Sequence, residues 1–155
     1  MPRKLLLAIP AAFLAAVAAH RLVPGALGGG IVLLPSGWRI HPAGRSVAVG
    51  TLPLALIRLA DGALLVSNDG YGSNGLMRVD PGAARVTDSI TFKAAWLGLD
   101  HRGTTAADTV WASGGTWNRV YRVILASGAA PALDSAVIAA PKAKLAVAGI
   151  AIVPG

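Results

Sequence analysis

The sequence predicts an all-β fold assembled from repeats of four short antiparallel strands. Three observations lead there. From residue 50 onward, short β-type runs alternate with turn signals. No helical periodicity in that region lasts three turns. The pattern then starts again after forty-odd residues.

Composition narrows the class. The 155 residues are 54% hydrophobic and 14% charged, which excludes intrinsic disorder. Beyond residue 20, no run of about 18 apolar residues escapes a charge or a proline, so a polytopic membrane protein is excluded. Cysteine is absent, which removes disulfide scaffolds, thiolate metal sites and cysteine nucleophiles together. Glutamate is absent too, and the seven acids are all Asp. The net charge of +7 invites a nucleic-acid reading, but the cations are scattered thinly from Arg21 to Lys144. Nucleic-acid binders gather such residues on one face, so no nucleic-acid partner is expected.

The N-terminus reads as an address. Met1-Pro2-Arg3-Lys4 is a short positive region, and Leu5 to Ala19 is apolar and uncharged. Ala16, Ala18 and Ala19 suit signal-peptidase cleavage after Ala18 or Ala19. Fifteen residues are short for a bilayer-spanning helix of about 20, and Pro10 interrupts them. Residues 1–19 are expected to be a signal helix, with an uncleaved anchor as the alternative. Both place the remainder in the periplasm or outside the cell, touching membrane only through this segment. Residues 20–34, with Pro24 to Gly30 at their centre, read as a flexible linker.

The body divides into runs. Leu54–Leu59 ends in the turn Ala60-Asp61-Gly62, and Ala63–Ser67 ends in the glycine-rich stretch Asn68–Gly75. Leu76–Asp80 stops at Pro81-Gly82, and Arg85–Phe92 alternates Val86, Ile90 and Phe92. The second cycle matches Trp96-Leu97-Gly98-Leu99 with Ala55–Arg58 at an offset of 41, so that His101-Arg102-Gly103 becomes a turn. Val110–Ser113 matches Leu64–Ser67 at 46, and Asn118–Val123 matches Asn74–Val79 at 44. A fourth strand is expected near Ala132–Ile138, and a third cycle opens at Val147–Ile152. Four strands every 40–50 residues is the signature of β-propeller blades. The expected architecture is a partial propeller of blades 50–92 and 95–139, with a next blade starting at 146–155.

The residues carry a family resemblance. Leu65-Val66-Ser67-Asn68 stands where YVTN β-propeller repeats carry their Tyr-Val-Thr-Asn tetrapeptide. Ala60-Asp61-Gly62 and Val153-Pro154-Gly155 stand where that family has Ser-Pro-Asp-Gly. Gly37–Arg45, Leu52-Pro53-Leu54, Asn68–Gly72 and Ala95–Leu99 resemble segments of large exported members. The resemblance covers residues 35 to 155. The second repeat departs from it, with Ala112-Ser113-Gly114 in place of Val-Thr-Asn. In that subgroup the propeller is often followed by a phosphoesterase domain of the alkaline-phosphatase type. Two blades fall short of the four to eight that close a ring. The chain therefore reads as the N-terminal part of a longer protein, whose other blades or downstream domain would be its partners.

Catalytic chemistry finds no anchor. Gly70-x-Gly72-x-x-Gly75 fits the dinucleotide pattern on paper, but a strand follows where a helix is required, so no cofactor is expected. His20, His41 and His101 lie far apart, which leaves no metal site, and His101 reads as a solvated turn residue. No Gly-x-Ser-x-Gly elbow exists. The better candidates lie in loops that line one mouth of a propeller. Asn68, Asp69, Tyr71 and Asn74 come from the first loop, and Ser113, Trp117, Asn118 and Arg119 from the second. Lys93 and Trp96 come from the blade-to-blade link. Amide, hydroxyl and aromatic groups suit a small polar ligand or a peptide, although turn chemistry alone also selects Asn and Gly. The expected role is a ligand- or protein-binding scaffold. A lactonase-like propeller enzyme acting on a sugar lactone is the alternative, and a two-blade chain that oligomerises into a ring is a third.

Overall fold

The computed structural model describes residues 23–138 and 145–153. The expected signal helix lies outside them. The described residues are all-β with no helix, arranged in three antiparallel sheets of three, four and four strands, none closed on itself. The chain divides into two units, 1–45 and 46–155.

The first unit holds β1 (Gly25–Gly28), β2 (Ile31–Leu33) and β3 (Arg39–Ile40), paired in that order. The β1–β2 hairpin falls in the stretch 20–34 read as a flexible linker, and β3 lies beyond it. Gly28, Gly29 and Gly30 all have positive φ, the backbone state glycine reaches at no steric cost, and this turns β1 into β2. His41 then closes the turn, its Nε2–H donating to the Gly29 carbonyl at 3.1 Å. Glycine here makes a tight turn rather than a loose tether.

The second unit holds two sheets. The first runs β4 (Pro53–Arg58), β5 (Leu64–Asn68), β6 (Gly75–Asp80) and β7 (Arg85–Thr91) as a meander. The second runs β8 (Leu99–Gly103), β9 (Ala107–Ser113), β10 (Arg119–Ala126) and β11 (Ala132–Val137) in the same way. Aspartates set the turns of the first sheet. Asp61 Oδ1 accepts from Ala63 N and Asp80 Oδ1 from Ala83 N, both at 3.0 Å.

The core lies between these two sheets. Leu65, Leu76 and Ile90 from the first meet Val110, Ala112, Tyr121 and Val123 from the second, with Phe92 and Ala95 from the link between them. Period-two alternation puts them there. Leu76 pairs with Ile90, Val110 with Val123, and Ala112 with Tyr121, so each set shares one face.

One expected strand is misplaced. His101-Arg102-Gly103 is not a turn but the end of β8, and Trp96 precedes the strand instead of opening it. Hydrogen bonding fixes the true equivalence. Ala55 N donates to Ser67 Oγ at 3.0 Å, and Gly98 N donates to Ser113 Oγ at 2.8 Å. Ala55 therefore corresponds to Gly98, an offset of 43 in place of 41. A two-residue slip leaves every side chain on its own face, so apolar alternation is blind to it. In the expected third cycle, Val147 makes an isolated bridge with Gly115, and no strand is formed among the described residues.

Candidate functional site

The β5–β6 loop, the β9–β10 loop and the link 92–98 meet at one end of the two sheets. Trp96 sits at their centre. Its carbonyl accepts from Ser67 Oγ at 3.0 Å and its amide donates to the Ser113 carbonyl at 2.7 Å, so the ends of β5 and β9 are tied to the same residue.

The ten candidate residues fall into two groups. Asn68 and Ser113 are buried and work within the frame. Asn68 Oδ1 accepts from Leu52 N and its Nδ2 donates to the Ser73 carbonyl, both at 2.9 Å, which clamps the β5–β6 loop. Ser113 Oγ donates to the Ala148 carbonyl at 3.0 Å. Asn118 is buried as well, with a positive φ that turns the β9–β10 loop. Trp96 is half-buried, near enough to Gly115 that a Cβ there would press on the indole ring.

The other candidates face outward or flank the opening. Lys93 Nζ lies 3.4 Å from the centroid of the Trp117 ring, a cation–π contact that joins the link to the β9–β10 loop. Asn74 Nδ2 donates to the Lys93 carbonyl at 3.3 Å, which adds the β5–β6 loop to the same group. Tyr71 is 99% exposed and Trp117 is 47% exposed. Arg119 Nη1 donates to Ser135 Oγ at 3.0 Å. Asp69 is half-buried, with its amide bonded to the Leu52 carbonyl.

Beneath them lies a residue the sequence reading missed. The Tyr121 ring stacks on Phe92, centroids 4.2 Å apart and planes 28° from parallel. Burial pushes its phenol above the ordinary 10.0, and the Asp69 carboxylate acts in the same sense. The Arg119 guanidinium and a hydrogen bond with the Ala94 backbone oppose that shift. Tyr121 thus registers both loops and the link at once. Its position in β10, on the face shared with Ala112, was the available signal.

A second polar feature occupies the opposite end. Asp108, 5% exposed, accepts from His101 Nδ1 at 2.9 Å and from Ala60 N at 3.1 Å, bridging the two sheets. It forms part of the wall of a cleft of about 240 Å³, together with the Arg78–Asp61 ion pair, Asp88 and Thr104. His101 is therefore a partnered strand residue and not a solvated one. Gly75 of the glycine pattern opens strand β6. Among the described residues, no group of three or more His and Asp side chains converges as metal ligands would.

Comparison with protein-family models, with curated proteins and with solved structures finds no match.

Proposed function

We propose that the two four-stranded sheets are successive blades of an exported YVTN-type β-propeller, and that this segment is a ligand- or protein-binding scaffold. Support for the blade reading comes from the repeated serine contacts, with Ser67 and Ser113 in the same place of each sheet. The binding reading rests on one observation. Two loops and the inter-sheet link are drawn together through Asn74, Lys93 and Trp117, beside exposed aromatic surface. Adaptable loops carried on a rigid sheet frame are where propellers place recognition. In the resemblance-based reading, the full protein continues into further blades and a phosphoesterase domain, and export follows from the N-terminal segment.

Isothermal titration against short peptides and small polar sugars tests the binding role. The expected result is a ligand whose affinity falls at least about tenfold in both Lys93→Ala and Trp117→Ala, the size of loss when one good contact goes. A ligand indifferent to both substitutions, or none in either library, contradicts it. Coding sequence beyond Gly155 tests the wider assignment, which expects more repeats and then clustered Asp and His ligands.

A further inference from the structure

The core ends before the sheets do. On the first sheet, Leu76 and Ile90 are followed along the same face by Arg78 and Asp88, which pair across β6 and β7. On the second, Val110 gives way to Asp108 on β9, and its cross-strand neighbour Leu125 follows Val123 on β10. The apolar rows thus turn polar, and the space between the sheets opens there as the cleft of about 240 Å³. Leu59 and Leu125 belong both to its lining and to the packing of the core, so its apolar wall is continuous with the core.

The polar lining is held in place by the fold. A bulge lies in β7 at this point. The ladder passes from Arg78–Asp88 to Val79–Val86 and skips Thr87, whose hydroxyl donates to the Arg78 carbonyl at 3.2 Å. Bulges re-aim side chains and gather beside functional sites. Arg78 stands between two carboxylates, ion-paired with Asp61 and cross-strand from Asp88. Asp88 Oδ1 accepts from Ser89 N at 2.8 Å, and its Oδ2 has no partner among the described residues. The two hairpins of the second sheet that border the cleft are joined, with Ser127 N donating to the Ala106 carbonyl at 3.0 Å. The Thr104 hydroxyl accepts from Ala106 N at 3.3 Å and keeps the first of these hairpins closed.

Charge decides what fits. The lining holds three aspartates against one arginine, so an anion is repelled. Asp61 already has Arg78, while Asp108 already has His101 and the Ala60 amide. A small cation therefore finds no converging set of ligands among the described residues. What the cleft offers is a row of acceptor, donor and acceptor, namely Asp61, Arg78 and Asp88, beside an apolar wall. Hydroxyl groups both donate and accept, and a hydroxyl bonded to a carboxylate is held about twice as strongly as by a neutral acceptor. Pockets for drug-sized ligands run from about 300 to 1,000 Å³, so this one suits a smaller body.

We propose that this cleft binds a neutral polyol the size of a single sugar ring. Asp61 and Asp88 accept from its hydroxyls, Arg78 donates to its oxygens, and Leu59 and Leu125 take its C–H face. The site lies at the other end of the sheets from Lys93 and Trp117, and it does not depend on what those residues bind.

Amide chemical-shift mapping of the full chain, titrated separately with D-glucose, D-galactose, D-mannose and myo-inositol, tests it. A ligand this small is expected to bind with a Kd of about a millimolar or weaker. At least one of the four should shift the amides of Thr105, Ser127 and Ala129, while those of Asn74 and Trp117 stay in place. Asp88→Asn, an exposed change that keeps the shape and removes the charge, should weaken this binding about fivefold or more. Trp117→Ala should leave it unchanged. A ligand of the loops around Trp117 responds to the two substitutions in the reverse way, so each site stands or fails by itself. Silence from all four polyols, or shifts confined to the loops around Trp117, overturns the proposal. So does binding that ignores Asp88→Asn, or methylammonium shifting the cleft amides at lower concentration than any polyol.

Discussion

Ser67 and Ser113 perform the same two tasks in consecutive sheets. Each hydroxyl accepts from an amide at the first strand of its own sheet, Ala55 N within β4 at 3.0 Å and Gly98 N, the residue before β8, at 2.8 Å. Each then donates to a carbonyl of the segment that follows, Trp96 for Ser67 and Ala148 for Ser113, both at 3.0 Å. A fully buried hydroxyl with one donor and two lone pairs is suited to such a relay, and Ala or Val is not.

Removing either hydroxyl takes a partner from an amide, half-buried at Ala55 and buried at Gly98, and from a part-buried carbonyl contact. Ser67→Ala and Ser113→Ala should each lower stability by about 1 kcal/mol, the net worth of such hydrogen bonds, with the larger loss at Ser113 where the Gly98 amide is buried. Urea unfolding with an unchanged slope checks this. A midpoint identical to the parent chain would show that the relay carries no weight.

Asp108 ties the sheets together at the other end. Asp108→Ala strips His101 Nδ1 and Ala60 N of their shared acceptor and should cost about 2 kcal/mol. Asp134→Ala removes an exposed pair with Arg122 and should change stability by less than about 0.5 kcal/mol. Equal effects of the two substitutions would contradict the buried bridge.

Tyr121 gives the protein an alkaline limit. Its phenol is held above 10.0 by burial, so the folded chain keeps a proton that the unfolded chain has lost. The resulting stability is intact below pH 10.0 and declines as pH rises past it. Tyr71→Phe leaves Tyr121 as the remaining tyrosine of two, and its absorbance should titrate above that value. Titration at or below 10.0 would place the ring in water.

Gly75 begins β6 with φ of 143°, and a Cβ there would meet the Ile90 carbonyl oxygen of the neighbouring strand. Neither the backbone nor β7 can yield cheaply. Gly75→Ala should cost about 2–3 kcal/mol by combining strain and overpacking. Gly72→Ala in the same loop, with open space around it, should cost less. Thermal unfolding of the two variants gives the comparison.

Much of the second unit could be read from residues alone. The offsets of 46 for Val110–Ser113 and 44 for Asn118–Val123 hold in the observed pairing, because Ser67 faces Leu76 and Ser113 faces Val120. Asp-Gly and Pro-Gly turns bounded the strands of the first sheet within a residue or two. The first strand of the second cycle escaped, since a slip of two preserves the side-chain face. The β1–β2 hairpin escaped because a glycine run is compatible with both a tight turn and a loose linker, and only the pairing of Ala26 with Val32 decides between them. Among the mouth candidates, polarity alone could not separate Asn68 and Ser113, which turn inward to satisfy the backbone, from Asn74 and Trp117, which border the opening. Tyr121 was hidden for the opposite reason, as its ring belongs to the core while its environment reports on the loops.

Amide hydrogen exchange in the serine variants tests the equivalence of the two sheets most directly. If each serine secures its own sheet and the segment after it, Ser113→Ala accelerates exchange at Gly98 and Val147 while Ala55 stays protected. Ser67→Ala accelerates Ala55 and leaves Val147 as it was. Exchange at Ala55 and Gly98 that ignores both substitutions would mean that the two sheets are not copies of one unit.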